Sequence, residues 1–239
     1  MDKELTSMFT RAEKLLGELE EEYNSCLHAK NVTDKAKHLT HEVLEKLKNA
    51  LNHTMAKVWE KIIAPDLSDK GKKERDISFP TSNSLQSFRS TLGRAKMTGS
   101  DKTHKNLYDF LLSKQPFSSS DNQWLGLLSK ISGEGKHIRL IPQKRFETRR
   151  IKVTKHGMGE VSWDPNRVTF GQKIKAKILD AEVDPKTQRI KPTAGVTEKI
   201  EIWVSFDLEG YRVSALGFCK EVCQKTRNLV KEMVDTFEL

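Results

Sequence analysis

The sequence of 239 residues predicts an α+β protein: an N-terminal helical bundle with a long antiparallel helical hairpin, followed by an antiparallel β-sheet and a C-terminal helix. Three observations predict it. Apolar residues recur at three- and four-residue steps as far as Ile131. After Pro142 the apolar period falls to two. Helical spacing returns from Ser214 to Phe237. The change of period divides the chain into a helical bundle at 1–141 and a sheet with the C-terminal helix at 142–239, and leaves open whether they pack as one unit.

The first helix runs from about Leu5 to Ala29, with Leu5, Phe9, Ala12, Leu16, Leu19, Tyr23 and Leu27 as its stripe. Asn31, Thr33 and Asp34 supply turn and capping groups. The second, from Asp34 to Ile63, carries Leu44, Leu47, Leu51, Met55, Val58, Trp59 and Ile62 and stops at Pro65. Neither can bury its stripe alone, so the two are expected to pair antiparallel. Residues 65–84 read as a long polar loop. Short helices follow over Ser84–Met97 and Lys102–Ser113, and another from Asp121, ended by Gly133 and Gly135. In the C-terminal part Ile151 and Val153 alternate with Arg150, Lys152 and Thr154. Ile174, Ala176 and Ile178 alternate with Lys173, Lys175 and Lys177. Ile200, Ile202, Val204 and Phe206 alternate with Glu201, Trp203 and Ser205. These are the marks of antiparallel strands with one wet face. The last helix either docks on the sheet or returns to the bundle.

Composition narrows the function. No stretch approaches the ~20 apolar residues of a membrane span, so no membrane partner is expected. The start, Met1-Asp2-Lys3-Glu4, has no apolar signal region. The cysteines Cys26, Cys219 and Cys223 are odd in number, which fits free thiols in a reducing compartment. A cytoplasmic location is the expectation. The chain carries a net charge of +9, and its placement is uneven. Lys136, Arg139, Lys144, Arg145, Arg149, Arg150, Lys152 and Lys155 face only Glu147 within twenty residues, a local net of +7. Such a concentration attracts anionic partners.

Gly133-Glu134-Gly135 and Gly157-Met158-Gly159 extend to no nucleotide-binding loop and read as a helix end and a hairpin turn. Cys219 and Cys223 lie on one helical face without a second ligand pair, and His38 and His41 are crowded by lysines, so no metal and no cofactor is expected. His53, near an apolar stripe, reads as a buried, hydrogen-bonded histidine or as a polar site residue. The densest chemistry follows the helix of Trp124, where Lys136, His137 and Arg139 arrive within four residues. A histidine between cations has its neutral form favoured, which suits a general base, with Lys136 and Arg139 holding phosphate. The alternative is a helix end whose cations complement the dipole.

Ala50-Leu51-Asn52-His53, Phe79-Pro80 and Trp124-Leu125 through Lys136-His137, ahead of a β-rich tail, resemble the motifs of a family of uncharacterised bacterial proteins. In that family an N-terminal helical hairpin bears an Ala-Leu-Asp-His-like motif, followed by a Phe-Pro pair and a Trp-Leu…Lys-His-Arg segment. The resemblance covers most of the chain. It implies a bacterial source, a helical hairpin and a β-rich C-terminal part. Asn52 departs from it by replacing an acidic residue, and Ile138 departs by separating His137 from Arg139. A broader likeness is to HEPN-type helical domains, many of which bind or cut RNA. Their active members place Arg and His, four to six residues apart, on one helix. Arg150 and His156 have that spacing here but fall in a predicted strand and turn.

The leading functional expectation is a non-catalytic module that binds RNA, DNA or another polyanion through Lys144, Arg145, Arg149, Arg150, Lys152 and Lys155, joined by Lys173, Lys175 and Lys177 of the lysine strand. Phe146 and an outward Trp203 add stacking groups. The alternative for that strand is an edge guarded by lysines against aggregation. One competing expectation is a metal-independent ribonuclease of HEPN-like kind built on Lys136, His137 and Arg139. The other is a structural or partner-binding homodimer formed through the long helices.

Overall fold

In the computed structural model, helix α1 (Lys3–Ser25) begins at Asp2, whose carboxylate accepts the Leu5 N–H at 2.8 Å. Helix α2 (Asp34–Ile62) begins at Thr33, whose hydroxyl accepts the Ala36 N–H at 3.1 Å. The structure describes residues 2–27, 32–68, 77–134, 142–165, 167–171, 175–211 and 213–239. Helices α3 (Leu85–Arg94), α4 (Ser100–Thr103), α5 (Lys105–Ser113) and α6 (Gln123–Glu134) follow. The strands are β1 (Gln143–Lys155), β2 (Gly159–Trp163), β3 (Lys177–Ile178), β4 (Ala181–Asp184), β5 (Arg189–Ile190), β6 (Val196–Leu208) and β7 (Val213–Ser214), and helix α7 (Ala215–Phe237) closes the chain. The protein is therefore α+β. No helix among the described residues is long and apolar enough to cross a membrane.

The chain forms two compact units, one of Met1–Lys144 with Asp207–Leu239 and one of Arg145–Phe206. In the helical unit, α1 and α2 pair as an antiparallel hairpin. Glu22 meets Lys35 at the turn (2.8 Å), and Asp2 meets Lys57 at the far end. Helix α7 returns to this pair. Its Lys220 and Arg227 bond Glu20 (2.7 Å) and Glu13 (2.5 Å) of α1. Lys61 of α2 donates to the carbonyls of Phe237 (3.0 Å) and Glu238 (2.8 Å), satisfying acceptors that the end of α7 leaves open. Leu15 rather than Leu16 completes the buried stripe of α1, and Leu27 is exposed.

Two buried polar contacts fix the segments that follow α2. Trp59 Nε1 donates to the Ala95 carbonyl at 2.7 Å, tying the end of α3 to α2. Gln115 is fully buried and holds three backbone groups. It accepts from Ser82 N–H (3.0 Å) and donates to the carbonyls of Pro80 (3.0 Å) and Leu111 (2.8 Å). The helix expected over Lys102–Ser113 is interrupted at His104, which separates α4 from α5.

The other unit is built from β1 to β6. The order β2-β1-β6-β7 forms one sheet and β3-β4-β5 a second. Strands β1 and β2 pair from Ile151↔Trp163 to Lys155↔Gly159. Their turn has Gly157 and Gly159 at φ 79° and 99°, where only glycine is unstrained. Ile151, Val153 and Trp163 form the core, against which Phe170, Ile178, Leu179, Ile190 and Val196 pack. The lysine strand is short among the described residues, covering Lys177–Ile178. The expectation of one dry face needs correction on β6. Ile200 and Ile202, on the side of buried Phe206, are 40% and 53% exposed.

Replacing Gln115 with Met keeps the volume but leaves the Pro80 and Leu111 carbonyls and the Ser82 N–H without their partner, at a cost of about 2–4 kcal/mol. The loss is read as a lower urea midpoint at unchanged slope. Glu22 accepts from Lys35 and from the Thr33 hydroxyl, and these bonds hold its carboxyl below the usual value of 4.5. A lowered carboxylate stabilises the fold above its unfolded pKa, and that contribution is lost as the pH falls through its folded pKa. Glu22→Gln therefore lowers the Tm at neutral pH, and its gap from the parent narrows below about pH 4.5. A gap constant with pH, followed by circular dichroism, defeats this assignment.

Candidate functional site

The cationic run enters β1, and the strand divides it. Side chains of a strand point alternately to its two faces. Ile151 and Val153 face the core, so Arg145, Glu147, Arg149 and Lys155 share their side, while Lys144, Phe146, Arg150 and Lys152 project from the other. On the core side Glu147 binds both neighbouring arginines, 2.8 Å to Arg149 Nε and 3.0 Å to Arg145 Nη1. Those two guanidinium groups, Arg149 first, hold its carboxyl below the usual range. Lys155 meets Asp180 at 2.5 Å. On the outer side Lys152 meets Glu160 at 2.6 Å, and Lys144 is exposed. Arg150 is exposed and has no ion pair among the described residues.

Strand β6 supplies the rest of this outer face. Glu209 N–H donates to the Pro142 carbonyl at 2.8 Å, which sets the end of β6 beside the start of β1 and makes the two antiparallel. Val196, Phe206 and Leu208 mark the inner side of β6, so Lys199, Glu201, Trp203 and Ser205 point outward. Phe146 and Trp203 are 46% and 48% exposed, and both project from the face that carries Arg150. Residues 145–206 hold 13 Lys and Arg against 8 Asp and Glu, a net of +5.

The lysine strand lies elsewhere. Ile178 turns in towards Ile151 and Val153, so Lys177 points out of the second sheet and not onto the face of Arg150. Lys177 stands across from Glu182, which Lys191 binds at 2.8 Å, and Lys175 is exposed. Lys173 lies outside the described residues, as do Lys136, His137 and Arg139.

The helical unit brings other sequence features together. Asn52, of the first motif, accepts the N–H of Phe79, of the second, at 3.0 Å. Both line a polar cleft of about 340 Å³ with Ser129 and Ser132 of α6. An adjoining cleft of about 730 Å³ contains Trp124, of the third motif. The two share Thr81 and Ser129. Sequence reasoning passed over Lys48, Asn49 and Arg94, which line the polar cleft. A signal for two of them was present, because Glu45, Lys48, Asn49 and Asn52 recur at helical spacing beside the apolar stripe of α2.

The remaining candidates sort by burial. Cys219 and Cys223 are buried, and desolvation raises both thiols, which suits packing rather than nucleophilic attack. His53 Nε2 is buried without a hydrogen bond, 3.5 Å from a Glu4 carboxylate oxygen. Of the two settings expected for it, the hydrogen-bonded one is not found among the described residues. Among the described residues no three His, Cys, Asp or Glu side chains group as metal ligands. No protein-family model, no curated protein and no solved structure matches the chain.

Proposed function

We propose that the β-rich unit binds single-stranded nucleic acid on the outer face of strands β2, β1 and β6, without catalysing a reaction on it. The observation that carries this reading is the pair of half-exposed rings, Phe146 and Trp203, on one sheet face with Arg150. A flat ring stacks on any base, so such a pair binds with little regard to sequence. Arg150 supplies a guanidinium with no protein carboxylate among the described residues, as a phosphate contact requires. The net charge of +5 on the unit adds long-range attraction.

The paired cations limit this surface and shape the reading. Lys152, Lys155, Arg145 and Arg149 are already engaged by carboxylates, so the affinity rests on few phosphate contacts and on stacking. This arrangement favours single strands, whose bases are free to stack, over duplexes. A homodimer through the long helices has less support. The apolar stripes of α1 and α2, such as Phe9, Leu44 and Leu51, are buried within the chain itself.

Fluorescence anisotropy with labelled single-stranded RNA and duplex DNA tests the reading. Single strands are expected to bind more tightly than the duplex. Trp203→Ala and Phe146→Ala are each expected to weaken binding about tenfold or more, the scale of one lost stack. Arg150→Ala is expected to reduce the salt slope by about 0.7, the value for one phosphate contact on a single strand. Binding that survives both ring substitutions unchanged, or no binding at low salt, refutes the proposal.

A further inference from the structure

Helix α2 carries a second stripe that packing does not explain. Glu45, Lys48, Asn49 and Asn52 fall at i, i+3, i+4 and i+7 and form one line along the helix, and all four are half-buried. Elsewhere α2 is covered by α1, α6 and α7. The core-facing stripe of a bundle helix is ordinarily apolar. Polar groups in such a place are ordinarily bonded to protein or to water. Here the bonding is incomplete. Asn52 uses its carbonyl oxygen on Phe79 N–H, which leaves its amino group for another partner. Asn49 has no hydrogen bond among the described residues. The Thr81 hydroxyl, at the border of both clefts, is buried and has no bond among the described residues.

Cations stand at the same cleft. Lys48 Nζ donates to the Ser129 hydroxyl at a long 3.4 Å. Arg94 projects from the end of α3, bonds the Thr91 hydroxyl at 3.2 Å, and has no carboxylate partner among the described residues. Arg94 and the two carboxamides around one small cleft offer donors that the described residues leave unused, beside the ammonium of Lys48, which is the complement of an oxyanion with several acceptor oxygens. The adjoining cleft differs in chemistry. Its wall includes Trp124, Leu127, Tyr211 and Phe218, and Lys130 Nζ sits 5.0 Å from the centre of the Tyr211 ring. Asn83 and Gln123 line the same space. Such a wall suits a flat ring with hydrogen-bonding edges. Volumes of about 340 and 730 Å³ lie in the range of small-molecule sites.

We infer that these adjoining clefts of the helical unit form one binding site for a nucleoside monophosphate. Lys48 and Arg94 hold the phosphate, the amides of Asn49 and Asn52 bond its remaining oxygens, and Glu45 accepts from the ribose. The base lies along the wall of Trp124 and Tyr211. This site is separate from the nucleic-acid face, because every residue in it belongs to the helical unit and Phe146, Arg150 and Trp203 belong to the other.

Isothermal titration of the full chain with the four common 5′-nucleoside monophosphates tests it, with the matching nucleosides and inorganic phosphate as partial ligands. At least one monophosphate is expected to bind, and its nucleoside and inorganic phosphate each to bind at least about tenfold more weakly, because each fills one cleft only. Arg94→Glu, an exposed substitution that spares the core, is expected to weaken the monophosphate at least about tenfold, the scale of a charge-assisted bond. Asn49→Ala is expected to weaken it as well. Trp203→Ala is expected to leave this affinity unchanged. The inference fails if none of the four binds at millimolar concentration, or if Arg94→Glu and Asn49→Ala both bind as the parent does. It also fails if Trp203→Ala abolishes binding, which assigns the nucleotide to the sheet. Loss of RNA binding with retained monophosphate binding refutes only the nucleic-acid proposal.

Discussion

Trp59, Leu51, Leu47 and Leu44 of α2 are fully withdrawn from water, and no single antiparallel neighbour can do that to a helix about 43 Å long. This demand organises the helical unit. Helix α1 covers one side, α7 comes back to cover another, and α6 lies along a third. The return of α7 also brings its C-terminal end to the last turn of α2. Lys61, in the last turn of α2, bonds the last carbonyls of α7 and satisfies acceptors at that helix's end. The Trp59–Ala95 bond then draws α3 to the same helix, and Gln115 fixes the chain at Pro80 and Ser82 beside it. Ala95, Phe79 and Ser129 are each held by an atom of α2.

The same dependence explains what was legible in the sequence. The stripes of α2 and α7 are strong and long, and burial by many contacts leaves little freedom in reading them. For α1 the choice between Leu15 and Leu16 turned on the orientation of the helix against α2 and α7 together, which one stripe does not encode. The period change after Pro142 marked the strands. It did not give β4, β5 or β7, which span two to four residues and are set by turns such as Leu179-Asp180, where both residues have positive φ. The return of α7 to the hairpin was one of two placements that its amphipathic pattern allowed. Distance along the chain says nothing about which face of which helix is still bare.

The cationic run shows how a count of charges differs from a surface. Along the chain, Arg149, Arg150 and Lys152 are neighbours. In a strand, the first points to the core side and the other two point away from it, and Glu147 bonds the arginines on either side of it on the core side. The sequence therefore showed the abundance of charge but not its sharing between faces, nor the carboxylates of Glu160 and Asp180, distant in sequence, that take up Lys152 and Lys155. The ring of Trp203 was legible as outward and that of Phe146 as a stacking group. Their common face required the pairing of β1 with β6, a contact between segments about 50 residues apart.

The polar stripe of α2 raises the opposite question, of why a helix under such demand for cover keeps Glu45, Lys48, Asn49 and Asn52 half out of water. Apolar residues at these positions could pack against Phe79 and α6, and the bundle would gain by about the transfer free energy of each side chain. The stripe forgoes that gain and instead leaves an amide and the Thr81 hydroxyl without protein partners among the described residues. Natural chains depart from the consistent pattern of a stable fold chiefly at functional and strained sites. No positive φ or cis peptide bond occurs along α2, so backbone strain does not account for the departure. The ligand inferred for this cleft completes those bonds, and it meets Arg94, which among the described residues bonds only a hydroxyl.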